Sequence, residues 1–565
     1  MKQLDIVLFA VLLTNAIQAQ SFETAANAVK NMGVGWNLGN TLDANGSGVQ
    51  QGLESEIYWG QPYTKPELMK MMKEAGFGAI RVPVTWYNHM DSNGKVNAAW
   101  MARVKQVVDY VIDNGMYCIL NVHHDTGDGS THWLHASMTT YNNTKTKYEY
   151  LWKQIAETFK DYDQHLLFEA YNEMLDDYNS WCFASYKAPG SYNATSAADS
   201  YRALNNYALS FVNSVRSTGG NNPKRNLVIN TYAASNGAGN WNAHLLEPLK
   251  ELKIPSDPAG TGHIAVQVHC YPNISNLSSA KTEMNQMFKD LKTYFIDKGA
   301  PVIIGEWASS NVDASVPDYD ANRTNYLNFV TYFVQKAKEY NAATFYWMGL
   351  SDGSYRSLPA FNQADLAKTI VTAYHGSGYN GKYPTEDDFE IQYVVNYTQN
   401  WAELFLYGTW GDSGALKLSD YSGIRIEMDN DSYVGKLQVK IYGDKNGDGN
   451  KEQYSPLTGA TTTVNFDASQ LGSTFIRVTL QTSVGATTAK VKKATLIKKD
   501  GTEVPGTITV AWGCTLTTES SPITSVQGIH YSPEQTNKIY NLSGQEVTNP
   551  RKGIYIVNGK KVVIK

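Results

Sequence analysis

Cysteine is scarce: four residues in 565, at Cys118, Cys182, Cys270 and Cys514. They lie far apart with no CxxC spacing, so neither a zinc knuckle nor a disulfide framework is expected. Cys118 and Cys270 stand inside apolar runs and read as small core residues. Positive charge is also short, with 48 Lys and Arg against 53 Asp and Glu and a formal net charge of -5. That balance supplies no basic field for nucleic acid or an anionic membrane surface, so neither is expected as a partner. Past the first 20 residues no unbroken apolar run is long enough to cross a bilayer. No glycine-rich loop cradles a phosphate after any strand-like run, which speaks against dinucleotide chemistry. No cofactor is expected.

Aromatic residues, by contrast, are plentiful, with 37 Tyr and 13 Trp. An aromatic-rich, mildly acidic chain suits neutral, partly apolar ligands such as sugars better than phosphates. The opening "MKQLDIVLFAVLLTNAIQAQS" carries a Lys, an apolar run from Ile6 to Leu13, and small or polar residues up to Ala19. It predicts a secretory signal peptide over residues 1 to 19, and hence a secreted or outer-surface protein.

From Gly33 to about Gly376, eight strand-like runs alternate with amphipathic helical ones. The strand-like runs are "VGWNLGN" (34 to 40), "GAIRVPV" (78 to 84), "YCILNVHH" (117 to 124), "HLLFEAYNE" (165 to 173), "NLVINTYA" (226 to 233), "IAVQVHCY" (264 to 271), "PVIIGEWA" (301 to 308) and "ATFYWMG" (343 to 349). Helical patterns such as "TKPELMKMMKEAG" and "AAWMARVKQVVDYVIDNG" lie between them, each with a Gly just past its end. Eight alternating units predict a closed (β/α)8 TIM barrel, a catalytic domain spanning residues 20 to 375.

Active sites of such barrels form at the C-terminal ends of the strands. There the sequence sets Asn37 and Asn40, Arg81, His123 and His124, Asn172 and Glu173, His269 and Tyr271, Glu306 and Trp307, and Trp347. In "FEAYNEM" the inner Glu169 is expected to be structural, paired with Arg81, because a barrel interior is dry. Glu173, where the loop begins, is expected to be catalytic, facing Glu306 of "VIIGEW" across the mouth. Two opposed carboxylates equip a site for glycoside hydrolysis, and their separation decides between retention and inversion. A rival reading takes "NVHHD" with His269 as a metal-hydrolase ligand set, but adjacent histidines on a strand point to opposite faces.

The motifs "GWNLGNTLDA", "IRVPVTWYNHM", "LNVHHD", "YNEM", "VHCY", "GEW" and "YWMG", in this order, resemble the signatures of glycoside hydrolase family 5, nearest its subfamily 4 of endo-β-1,4-glucanases. The resemblance implies a retaining endoglucanase acting on a β-1,4-glucan polysaccharide, with xyloglucan, xylan or mannan as alternatives. It makes Glu173 the acid/base and Glu306 the nucleophile. It has Asn172 bind the sugar 2-hydroxyl, Arg81 and Tyr271 keep Glu306 ionised, His123 bind near the reacting sugar, His269 position the acid/base and Trp347 form the floor. His124, Asn37 and Trp307 complete the expected substrate-binding set, with Trp36, Trp59, Trp86 and Trp133 as further rim aromatics. One departure is Met174, where the family usually has Pro.

After His375 short alternating runs predict a β-sandwich over residues 376 to 520 that resembles a carbohydrate-binding module. Trp401, Tyr407, Trp410 and Trp512 are its candidate stacking residues. "DKNGDGNKE" offers Asp444, Asn446 and Asp448 as calcium ligands, but position twelve is Ser455, so a polar hairpin is the better expectation and no metal is assigned. The tail, 521 to 565, has turn signals at Ser543-Gly544 and Asn558-Gly559 and resembles a type IX secretion sorting domain, which implies the secretion machinery as partner. A monomer is the default expectation.

Overall fold

The computed structural model describes residues 22–46, 52–187, 191–309, 319–410, 415–444, 451–522, 539–540, 553–557 and 560–564. The expected signal peptide, calcium positions Asn446 and Asp448, and both tail turns lie outside them. Contacts divide the chain into two units, before and after the Pro384 to Thr385 bond.

In the first unit the eight strand-like runs pair in parallel and close on themselves in chain order. The strands are β1 (Val34–Asn37), β2 (Ala79–Val82), β3 (Tyr117–Asn121), β4 (Leu166–Glu169), β5 (Leu227–Asn230), β6 (Ile264–Cys270), β7 (Val302–Trp307) and β8 (Ala343–Tyr346). Most are shorter than their sequence runs, because the last residues of each run leave the ladder to enter a loop. The helices between them end where the sequence signals: Pro66–Ala75 has Pro in its first turn and left-handed Gly76 after its last, and Asn97 caps Ala98–Ile112.

Strand residues alternate between the barrel interior and the helix layer. The interior holds two levels of opposite character. The N-terminal level is apolar, with Ala79, Ile119, Leu167, Val228, Ala265, Ile303, Ala343 and Phe345, closed from below by Ala25, Ala28, Val29 and Met32 of the helix Ala25–Met32. Gly35 leaves room for Phe345, whose ring would lie 2.5 Å from an added Cβ. One repeat further along, the buried inward groups are polar: Asn37, Arg81, Asn121, Glu169, Asn230 and Gln267.

β7 breaks the alternation. Val268 of β6 pairs with Ile304, but the next residue, His269, pairs with Glu306, so Gly305 is an extra residue, a β-bulge. A bulge shifts the phase by one. Ile303 and Glu306 therefore face inward, whereas Ile304 and Trp307 join the core under the helices.

The second unit is an antiparallel sandwich. One sheet runs, in spatial order, Lys451–Pro456, Leu437–Asp444, Thr474–Thr482, Glu403–Tyr407 and Thr509–Trp512, with Leu416–Lys417 added on Thr474–Thr482. The other runs Thr461–Asn465, Tyr421–Met428, Thr487–Lys498, Phe389–Tyr397 and Cys514–Pro522, with Glu503–Pro505 added on Thr487–Lys498. Leu404, Leu406, Val439, Ile441, Val478 and Leu480 fill its core from the first sheet. Asp444 ends a strand that pairs with Lys451–Pro456. In the tail, Ile539–Tyr540, Gly553–Val557 and Lys560–Ile564 form a small antiparallel sheet.

Candidate active site

Arg81 is the centre of the polar level. Its Nε and Nη2 donate to Glu169 Oε2 and Oε1 at 2.7 and 2.8 Å, a bidentate pair with both side chains fully buried. Its remaining donors are spent on Glu306 Oε1 (2.8 Å), Asn37 Oδ1 (3.0 Å) and Asn172 Oδ1 (2.8 Å). Glu169 also accepts from Asn121 Nδ2 at 3.2 Å and Asn230 Nδ2 at 3.1 Å. A buried carboxylate with this many donors is satisfied, so Glu169 is structural, and it holds Arg81 where Arg81 can reach Glu306.

Glu306 is gripped from both sides, since its Oε2 accepts from the Tyr271 hydroxyl at 2.7 Å. Glu173, four residues beyond the end of β4, meets His269 Nδ1 through Oε1 at 2.7 Å, and 22% of its side chain reaches solvent. One oxygen each of Glu173 and Glu306 and one His269 nitrogen all lie within 4.8 Å of one another.

The two glutamates are electrostatically unequal. Burial raises Glu173 to about 7, and the Arg81 charge that opposes this makes no hydrogen bond to it. Burial also raises Glu306, but His269, the Arg81 ion pair and the Tyr271 hydrogen bond pull it back. Arg81 and Tyr271 lower it, and burial outweighs them. Burial and Arg81 hold His269 down at about 4, although Glu306 and Glu169 favour its charged form. At neutral pH it is a hydrogen-bond partner of Glu173, not a cation.

The tautomer of His123 follows from its neighbours. The Val84 backbone N–H donates to Asn121 Oδ1 at 3.1 Å, which turns the Asn121 amide nitrogen toward Glu169 and toward His123 Nδ1 at 3.0 Å. His123 Nδ1 must then accept, so Nε2 carries the proton, 4.0 Å from Glu306 Oε1. Trp347 lies parallel to the His123 ring, 5° off and 5.8 Å between centroids.

Most predicted site residues converge here: Glu173, Glu306, Arg81, His123, Asn172, His269, Tyr271 and Trp347. Several take other places than expected. Trp307 is turned outward by the bulge and fully buried against Phe333 and Tyr346, so it lines no cleft. Trp36 and Trp86 are equally buried, donating to the carbonyls of Met348 and Asn121. Trp133 donates to Asp125, and Trp59 reaches the surface edge-on to His124. Asn37 is fully buried, donating to the Gly305, Phe345 and Tyr346 carbonyls, so it props Glu306 and Arg81 from beneath. The opposite-faces argument for His123 and His124 fails because β3 ends at Asn121; their rings meet edge-on at 4.4 Å. Asn121 and Asn230 went unnoticed in the sequence, where an Asn closing a strand reads as a turn signal.

Among the described residues two triads have metal-ligand types, Glu173 with His269 and Glu306, and Asp43 with His123 and His124. In each triad some of the lone pairs are engaged elsewhere. Glu306 faces Arg81 and Tyr271, His123 Nδ1 faces Asn121, and Asp43 accepts the backbone N–H groups of Asn40 and Thr41. A second cation beside Arg81 is also repelled, so the donor set fits paired acids better than a metal cage.

The model of the cellulase family, glycosyl hydrolase family 5, matches residues 42–352. Endoglucanase A of Clostridium longisporum is 33% identical over 407 residues, 67% of this chain and 71% of the relative. Among solved structures, a GH5-4 broad specificity endoglucanase from an uncultured bacterium is 62% identical with a TM-score of 0.62, covering 64% of this chain and 98% of its own. A glycoside hydrolase family 5 enzyme from Prevotella bryantii, solved as a mutant with a xyloglucan tetradecasaccharide, is 42% identical with a TM-score of 0.56, covering 62% of this chain and 99% of its own.

Proposed function

Because the chain belongs to glycosyl hydrolase family 5, the cellulases, and is a glycoside hydrolase, we propose that it cuts internal β-1,4 linkages of glucans with retention. The observation that carries the reading is the closeness of the two acids, one oxygen of Glu173 lying within 4.8 Å of one oxygen of Glu306. Carboxyl groups about 5 Å apart suit direct attack, whereas inversion needs about 6.5 to 9.5 Å to seat a water.

In this reading a Glu306 oxygen attacks the anomeric carbon as the glycosidic C–O bond breaks, and Glu173 gives its proton to the leaving oxygen. Glu306 is then an ester, its negative charge gone, which favours ionisation of Glu173. Glu173 next takes a proton from a water that attacks the same carbon, and Glu306 leaves as carboxylate. Asn172 supplies its amide N–H to a sugar hydroxyl, because its carbonyl oxygen is committed to Arg81. His123 offers Nε2–H, and Trp347 a ring face.

Xyloglucan is a second substrate reading, favoured by the ligand of the Prevotella bryantii relative. The N-terminal pattern and the tail's likeness to a sorting domain support export to the medium or outer surface. Mass spectrometry of the mature protein for the residues before Gln20 and after Ser520 tests that.

Proton NMR of the first products from mixed-linkage β-glucan tests the mechanism. The β-anomer appearing before mutarotation supports retention, and the α-anomer first overturns it. Glu173→Ala and Glu306→Ala should each abolish cutting of β-glucan and xyloglucan, and cutting that survives loss of Glu306 overturns the assignment of the nucleophile.

A further inference from the structure

Arg356 is buried, 2% exposed, in the short helix Ser354–Ser357 beyond β8. Its donors join two stretches of chain that are far apart in sequence. Nε donates to the Ser351 carbonyl at 2.8 Å, Nη1 to the Gly39 carbonyl at 2.8 Å, and Nη2 reaches Asp352 Oδ1 at 3.4 Å. The guanidinium also lies 5.0 Å from the ring centroid of Trp36, whose Nε1 donates to the Met348 carbonyl at 2.6 Å. Burial pulls Arg356 down to about 10, so at neutral pH it is still a cation, kept from water with one carboxylate at the edge of reach. Holding it there costs stability that a well-packed apolar side chain would not.

What the cation holds is the setting of Trp347. That residue follows β8 directly, and its indole packs on Gly39: a Cβ added there would stand 3.0 Å from Trp347 Cη2 and Cζ2. Arg356 thus ties the backbone on which the ring rests to the loop that carries the ring. Asp352 extends the tie. Its Oδ1 accepts from Gln61 Nε2 at 2.8 Å, and the Gly353 backbone N–H donates to Gln61 Oε1 at 2.9 Å, so both ends of the Gln61 carboxamide are bound. Gln61 is itself buried, two residues after Trp59, the exposed rim aromatic that meets His124 edge-on. The eight strands close without any of these contacts.

We propose that Arg356, with Asp352 and Gln61, forms a latch that sets Trp347 and Trp59 in place before the sugar arrives, which makes the buried Arg356 a positioning residue of the reaction. Groups fixed in advance lose less freedom on binding. The latch rests on the proposed reading of the barrel mouth as a glucan site.

The test is steady-state hydrolysis of cellotetraose by the full-length chain, with the indole N–H resonance of Trp347, assigned by its loss in Trp347→Phe, as a second readout. Gln61→Glu sets a second carboxylate against Asp352 and opens the latch away from the reacting groups. KM should rise roughly two- to tenfold, the size of a lost hydrogen bond, with kcat little changed. Adding Asp352→Asn, which gives the new carboxylate an amide donor, should restore most of it. Arg356→Lys keeps the charge but cannot serve Gly39 and Ser351 with one fork, so kcat/KM should fall and the Trp347 resonance should shift or broaden. An unchanged KM in Gln61→Glu, or a double variant no better than the single, overturns the latch. Should Arg356→Lys fail to fold, Gln61→Glu decides alone. The two readings fail separately: a wild-type chain that cuts no glucan loses the substrate, and the Trp347 resonance then decides the latch, overturning it if neither variant moves the signal.

Discussion

One guanidinium, that of Arg81, holds the buried Glu169, the proposed nucleophile Glu306 and Asn172, proposed to meet the sugar. Replacing it by Met leaves Glu169 buried without its counter-ion, an expected loss of about 3–5 kcal/mol in urea unfolding together with all activity. Arg81→Lys keeps the charge but cannot serve Glu169 with a fork and Glu306 at once, so the fold should survive while kcat drops. Glu173 makes the second residue-scale prediction. The acid must be protonated, so kcat/KM should fall as pH rises through about 7, while the need for an ionised Glu306 sets the acid limb, above the ordinary carboxylate range. Both limbs belong to the coupled pair. The same shift acts on stability: a carboxyl raised from 4.5 to about 7 favours the fold below 4.5, and that contribution is lost as pH climbs through 7. Glu173→Gln should therefore lose less stability between pH 5 and pH 8 than the wild type. Parallel losses in urea midpoint across that range contradict the burial account.

Among the elements, β7 shows what one residue can do. An added Cβ on Gly305 lies 2.2 Å from Gln267 Cδ, so Gly305→Ala must push Gln267 aside or move the bulge that aims Glu306. Expected are a destabilisation of about 1–3 kcal/mol and a fall in kcat, with Gln267→Ala added to the same chain restoring part of both. No recovery in the double variant means that the bulge is sensitive to backbone conformation and not to space. The bulge also marks where sequence reasoning stops. All eight strands were legible, because alternation and flanking helices announce them, and so was the Glu169 to Arg81 pair, because a dry interior demands a partner for a carboxylate. The bulge was not, since an inserted glycine leaves composition intact and only shifts phase, and Trp307 was misplaced for that reason. His123 and His124 were judged by strand alternation although the strand ends two residues earlier, a boundary set by loop hydrogen bonds rather than by residue type.

Among the described residues the two units have separate apolar cores, two clusters in the barrel and one in the sandwich. A chain ended at Pro384 keeps every residue of the catalytic constellation, so it should fold and hydrolyse cellotetraose with unchanged kcat/KM. Its hydrolysis of insoluble glucan should fall below that of the full-length chain if the sandwich binds that polymer; an unchanged rate argues that the sandwich has another use. The class of each unit was readable from the period of its runs, whereas the order of the strands within each sheet of the sandwich needed strand pairing. The buried charges at the barrel mouth bear on heat. Ion hydration becomes less favourable as temperature rises, so the penalty for keeping Arg81, Glu169 and Glu306 from water shrinks on warming, while the gain from apolar burial levels off. The chemical centre of this enzyme is thus relatively better held when hot than when cold, and thermal inactivation should begin in the long surface loops rather than among the groups that do the chemistry.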